Sequence, residues 1–191
     1  MHLPPLILAS ASPRRADLLK QIGLKFRVIP GNAVELQHEQ LTAVELSQLN
    51  AHRKARAVAK KHPESLVLGA DTLVYLNTTL YGKPASRAEA ARMLGELQGQ
   101  THQVVTGVCL VHLSHSRERI FAESTEVTFR RLTGAQIRRY LDQINPLDKA
   151  GAYAIQEKGD LIVERISGSY SNVVGLPLER LQAEVKTMFA Q

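Results

Sequence analysis

Apolar positions fall along this chain in two rhythms. Short, nearly continuous apolar runs at residues 6–9, 65–76 and 102–113 read as buried strands. Residues 25–30 alternate and predict a further short strand. After a polar turn at 114–117, residues 118–132 return as another. Thr125, Val127 and Phe129 share one face of it, and Glu126, Thr128 and Arg130 the other. Runs 102–113 and 118–132 together predict a hairpin of long strands, and 161–166 adds a last one. Between these runs the spacing lengthens to the helical period. Ser12 and Pro13 open a helix with Leu18, Leu19 and Ile22 on its apolar face, and Gly23 can stop it. Thr42-Ala43-Val44-Glu45 is a capping-box pattern opening a helix to about Lys61, with Val44, Gln48, Ala51, Ala55 and Val58 near one face. Ser86 to Glu89 repeats the pattern for a helix to about Leu97, and Thr133 to Gln136 caps one to about Ile144. Leu178, Leu181, Val185 and Met188 stripe a final helix. Residues 31–41, which carry Glu35 and Glu39, and 167–172 read as polar loops. Strands and helices mix throughout, so the class is α/β with a partly antiparallel sheet.

The first strand and helix meet at Ser10-Ala11-Ser12, a turn of small residues. Backbone N–H groups and the positive end of the helix dipole converge at such a place and attract anions. Arg14 and Arg15 lie in the first helical turn, where cations are disfavoured unless a stronger negative charge lies outside; the arrangement suggests a phosphate chain. The second notable residue is Asp71, inside the apolar run SLVLGADTLVYL. A carboxylate is expensive to bury unpaired, so Asp71 must meet a cation, a metal, a backbone cap or an open cleft. Lys83 is held between Gly82 and Pro84. Residues 147–156 (LDKAGAYAIQ) show little periodicity but space Asp148, Lys149, Tyr153 and Gln156 with small residues, so backbone can pass close to a ligand.

Charge narrows the partners. Lys and Arg total 24 against 18 Asp and Glu, a net charge of +6, which favours an anionic partner. The basic residues are dispersed, and aromatic residues make up only 5%, which speaks against a nucleic-acid groove. Cys109 is the single cysteine, so there is neither a disulfide framework nor a cysteine metal cluster. No run approaches the roughly 18 apolar residues of a membrane span, and the first residues lack the basic and apolar regions of a signal peptide. The expectation is a cytoplasmic protein away from membranes. The 191 residues suffice for one domain, or for two lobes sharing a cleft. Walker, GxGxxG, GxSxG, HExxH and CxxC motifs are absent, and no nucleophile–base pair is visible. Arginines and lysines with a few carboxylates fit metal-assisted attack of water on a phosphoanhydride.

Five stretches, LASASPRR, LGADTLV, GKP at 82–84, LDKAGAYAIQ and GSYSNVVGLP, resemble in order and spacing the Maf family of nucleoside triphosphate pyrophosphatases. The resemblance spans nearly the whole chain. It implies a single domain over 1–191, with two lobes around an elongated, bent mixed sheet and the active site in the cleft between them. It implies hydrolysis of a nucleoside triphosphate to the monophosphate and pyrophosphate, a divalent cation (magnesium or manganese), a cytoplasmic location and a homodimer. By resemblance, Asp71 matches the family's proton acceptor, and Ser10, Arg14 and Arg15 its phosphate-facing motif. Lys54 and Lys83 match two phosphate-binding lysines. Glu35 matches an acidic residue of the first loop and, with Asp71, a metal ligand; where members carry two adjacent acids, this chain has Val34 before Glu35.

Arg14, Thr72 and Gln156 resemble the branch acting on dTTP and UTP, where the 7-methyl-GTP branch carries Trp, Gln and Glu. A glutamine amide donates and accepts, so it can pair with the O4 and N3–H edge of uracil or thymine. The family's proposed role is clearance of unwanted nucleotides, including modified pyrimidine nucleotides such as 5-methyl-UTP and pseudo-UTP. Two other readings stand beside this one: a non-catalytic nucleotide-binding regulator of cell division, and a pyrophosphatase for 7-methyl-GTP or unusual purine nucleotides.

Overall fold

A computed structural model gives the fold and describes residues 3–36 and 40–190; Glu39 lies outside them. The core element is an open, mixed sheet of seven strands. Strand β1 (Leu6–Leu8) lies between β2 (Phe26–Val28) and β3 (Leu66–Leu76), parallel to both. Parallel neighbours require crossovers. Helices α1 (Pro13–Gln21) and α2 (Ala43–Ala59) lie in those connections. Strand β4 (Thr79–Tyr81) folds back antiparallel on β3 through a turn at Asn77, whose φ is 55°. Three residues are too few to show an alternation, which is why the sequence pattern gave no sign of β4.

Helix α3 (Arg87–Leu97) leads to β5 (Thr101–His112). A single 3-10 turn, Leu113–His115, joins β5 to β6 (Arg117–Phe129), and the two are neighbours in the sheet. After α4 (Gly134–Leu141) and two more 3-10 turns, β7 (Val163–Ser167) pairs antiparallel with β6. The order across the sheet is β2-β1-β3-β5-β6-β7. Helices α5 (Tyr170–Val174) and α6 (Leu178–Phe189) end the chain. Tyr170–Asn172 thus belong to a helix, where the polar sequence predicted a loop; the Ser169 hydroxyl accepts the Asn172 N–H at 3.2 Å and starts that turn.

The chain divides into two compact units. One comprises Met1–Asp71, Thr106–Glu123 and Gly175–Gln191; the other comprises Thr72–Val105 and Ser124–Val174. The first has an alanine-rich core in which Ala51, Ala55 and Ala59 of α2 pack with Ile7, Val67 and Cys109. Here α2 lies against the sheet at backbone distance. A Cβ on Gly69 would stand 2.3 Å from the Ala51 carbonyl oxygen, and one on Gly107 2.3 Å from the Ser47 carbonyl carbon. This contact selects the buried row of α2: Leu46, Ser47, Asn50, Ala51, Lys54, Ala55, Val58 and Ala59. Val44, expected on that face, is 42% exposed, and Gln48 is only half-buried, because the row facing the glycines starts at Leu46. The second unit has a bulkier core, with Leu94, Leu97, Phe129, Tyr140 and Tyr153.

Candidate active site

The turn after β1 is built by side chains. The Ser10 hydroxyl accepts the Ser12 N–H at 3.2 Å and a hydrogen bond from Arg15 Nη1 at 3.0 Å. Ser12 stands at the cap of α1 with extended backbone and Pro13 follows, as the sequence predicts, but the Ser12 side chain makes no capping bond. Arg15 is buried, and its Nε donates to the Gly175 carbonyl at 2.8 Å. One of its donors therefore braces the turn from within the protein, and another ties α1 to the Gly175 backbone. Burial lowers the Arg15 guanidinium from arginine's usual value, opposed by the Asp71 carboxylate; Arg14 adds to the lowering and Glu35 opposes it. Arg14, the next cation on α1, is half-buried.

Asp71 is 5% exposed, at the point where β3 leaves Gly69-Ala70. Both of its oxygens are engaged. Lys54 Nζ donates to Oδ1 at 2.7 Å, and Asn50 Nδ2 donates to Oδ2 at 3.1 Å. The same Lys54 Nζ donates to Glu35 Oε1 at 2.7 Å. The two carboxylate oxygens on Lys54 are thus no further apart than twice that contact. Asn50 also holds the loop carrying Glu35: its Oδ1 accepts the Leu36 N–H at 2.8 Å, and its Nδ2 donates to the Leu36 carbonyl at 3.1 Å. The cost of burying Asp71 is met by an ammonium and an amide from consecutive turns of one helix.

Of the residues singled out from sequence, Ser10, Arg14, Arg15, Glu35, Lys54 and Asp71 all belong to the first unit. Thr72, Lys83 and Gln156 belong to the second. Thr72 follows Asp71 on β3 and is half-buried; Lys83, just past β4, and Gln156, on the turn at 155–158, are exposed. Lys149, a candidate cation in the sequence, is 3% exposed and donates to the Asn145 carbonyl at 2.7 Å and to Asp148 at 2.9 Å, with Glu157 at 3.3 Å. It tethers the segment before Gln156. Tyr153 is also buried, and its hydroxyl lies 2.9 Å from His102 Nε2. Sequence reasoning did not single out Asn50 or the Gly175 carbonyl. An asparagine four residues before Lys54 on a buried helical face was the available signal for the first; a backbone carbonyl leaves none.

The pattern of the family described as Maf-like protein matches residues 5–188. The chain belongs to the Maf-like protein family. Relatives of this Maf-like chain include the dTTP/UTP pyrophosphatase of Gloeobacter violaceus, 51% identical over 176 residues that make up 92% of each chain. The dTTP/UTP pyrophosphatase of Pelotomaculum thermopropionicum is 46% identical, over 95% of each. That of Desulforamulus reducens is 44% identical, over 97% of this chain and 96% of the relative. Among solved structures, a HAM1 protein from Coxiella burnetii superposes with a TM-score of 0.54 at 17% identity, covering 97% of the Maf-like chain and 100% of that one. At that identity the likeness is one of fold alone.

Proposed function

We propose that this chain is a nucleoside triphosphate pyrophosphatase that hydrolyses dTTP and UTP to the monophosphate and pyrophosphate, clearing these and modified pyrimidine nucleotides from the pool. The observation that carries the reading is the buried Asp71 carboxylate, held by Lys54 and Asn50 in the same unit as Arg15 and Ser10. Relatives of 44–51% identity over nine-tenths of the chain, named for this activity, support it. Water adds across the α–β anhydride and breaks it; Asp71 takes the proton that the water gives up. Lys54, Arg14, Arg15 and Lys83 stabilise the charge gathering on the phosphate oxygens, and Ser10 together with the α1 N-terminus helps seat the chain of phosphates.

The family reading brings a divalent cation, magnesium or manganese. Among the described residues no three His, Cys, Asp or Glu side chains gather as a metal cage. The donors that do converge, Asp71 and Glu35, are hard carboxylate oxygens already sharing one ammonium. They fit a small hard cation of the kind held by one or two carboxylates with water and substrate phosphates. Asp71 and Glu35 would hold it, and it would supply neutralisation of phosphate charge.

Arg14, Thr72 and Gln156 are proposed to set the base preference, with the Gln156 amide reading the O4 and N3–H edge. The reading takes residues 1–191 as one functional domain, acting as a homodimer in the cytoplasm. Among the described residues no helix is long and apolar enough to cross a membrane.

The test is pyrophosphate release from dTTP, UTP, CTP, GTP, ITP and 7-methyl-GTP with magnesium or manganese. The expected result is turnover of dTTP and UTP, with Asp71→Asn abolishing turnover while keeping nucleotide affinity. Preference for a purine nucleotide would overturn the base assignment. Tight binding by both proteins without any turnover would replace the enzyme with a nucleotide-binding regulator.

A further inference from the structure

Asn50 is 2% exposed, and three hydrogen bonds occupy its side-chain amide. Only one orientation of the amide serves them. Its oxygen faces the Leu36 N–H, and its two N–H groups face the Leu36 carbonyl and Asp71 Oδ2. Turned over, it would set an oxygen against a carbonyl and a carboxylate. Towards Leu36 the amide behaves as a neighbouring strand does, giving one bond and taking one. Towards Asp71 it fixes the rotation of the carboxylate, since Lys54 holds the other oxygen. Asn50 and Lys54 stand four residues apart on α2, one turn of helix. Between them they clamp Asp71 on β3 and the loop residues Glu35 and Leu36 to one rigid support.

We propose that Asn50 is a positioning residue for hydrolysis: its amide locks the Asp71 carboxylate and the Glu35 loop in register, so that the proton-accepting oxygen is aimed before substrate arrives. The inference rests on the pyrophosphatase reading above. The residue touches neither substrate nor water in this role; it acts through Asp71. Preorganisation of this kind acts on the chemical step rather than on ground-state binding.

The test replaces Asn50 by leucine, which matches its size without its hydrogen bonds, and by alanine, which leaves room for water. Both variants and the wild type are assayed for kcat and KM with dTTP, for affinity towards α,β-methylene dTTP by calorimetry, and for thermal unfolding. The expected result for Asn50→Leu is a kcat lower by roughly ten- to a hundredfold, with KM and analogue affinity within about twofold of wild type. Asn50→Ala should recover part of the loss, because water can bridge Leu36 and Asp71. An unchanged kcat in a folded variant overturns the proposal. So does a parallel fall in analogue affinity, which would mark a collapsed binding site. Failure of both variants to fold at the assay temperature would make Asn50 a purely structural residue and also overturn it. A wild type that turns over no nucleotide sinks the pyrophosphatase reading itself, and this inference with it; the two failures are told apart by the wild-type assay.

Discussion

At the scale of single residues, the site is a problem in satisfying charge. Asp71 is legible in the sequence because no carboxylate sits cheaply inside an apolar run. Which cation answers it is not legible, since residue spacing ties no lysine or arginine to Asp71 until the fold is known. Lys54 is taken by Asp71 and Glu35, while Lys149 is taken by Asp148, Glu157 and the Asn145 carbonyl. The proposed base contact is tested at this scale too. Gln156→Glu removes the donor to O4 and sets a negative charge before an acceptor. Its kcat/KM for UTP should fall by roughly tenfold or more, one lost hydrogen bond with an unpaired partner. Steady-state kinetics with UTP and GTP measure it, and an unaltered UTP-to-GTP ratio would remove Gln156 from the specificity set.

At the scale of elements, the position of α2 decides the site, and glycines decide the position of α2. Gly69 on β3 and Gly107 on β5 let the helix backbone touch the sheet. The sequence showed Gly69 only as a thinning of a strand, and Gly107 as nothing at all. Gly107→Ala sets a methyl 2.3 Å from the Ser47 carbonyl carbon and 2.4 Å from the Gln48 nitrogen, and neither is a flexible side-chain end. The helix must move, so the variant should lose about 1–3 kcal/mol or more of stability. Because Asn50 and Lys54 move with it, kcat for dTTP should fall as well. Urea unfolding combined with kinetics well below the transition checks both; a stable variant of full activity would show that α2 tolerates displacement. The capping boxes at Thr42 and Thr133 form as the sequence predicts. At Ser86 only half the box forms: its hydroxyl accepts the Glu89 N–H, but the Glu89 carboxylate takes the Ala85 N–H.

At the scale of the whole molecule, acid stability carries a signature of the second unit's core. His102 is 1% exposed, edge-on to Phe129 at 4.7 Å, with its Nε2 bonded to the Tyr153 hydroxyl. Burial lowers its pKa from 6.5 to about 4. The folded protein therefore keeps His102 neutral where the unfolded chain already binds a proton. The stability tied to this residue is complete above pH 6.5, falls as pH drops from 6.5, and is fully lost below about pH 4. At about 1.4 kcal/mol per unit, the loss over the window is on the order of 3 kcal/mol. His102→Phe should flatten the pH dependence of unfolding free energy between pH 6.5 and 4.5, even if Tyr153 loses its partner and stability at pH 7 drops. Equal slopes in wild type and variant would place the acid sensitivity elsewhere.

Local patterning was enough to place most strands and helices, because apolar period, caps and stop residues act within a few positions of one another. The ordered motifs from LASASPRR to GSYSNVVGLP were enough to reach the family, and the price of a buried carboxylate was enough to mark Asp71. Only the tertiary structure decided which groups meet. Asn50 and Lys54 reach Asp71 across 21 and 17 residues, and Arg15 reaches the Gly175 carbonyl across 160. Contacts at such separations follow from sheet order and from how closely a helix can approach its strands, and neither quantity is written in the spacing of residues along the chain.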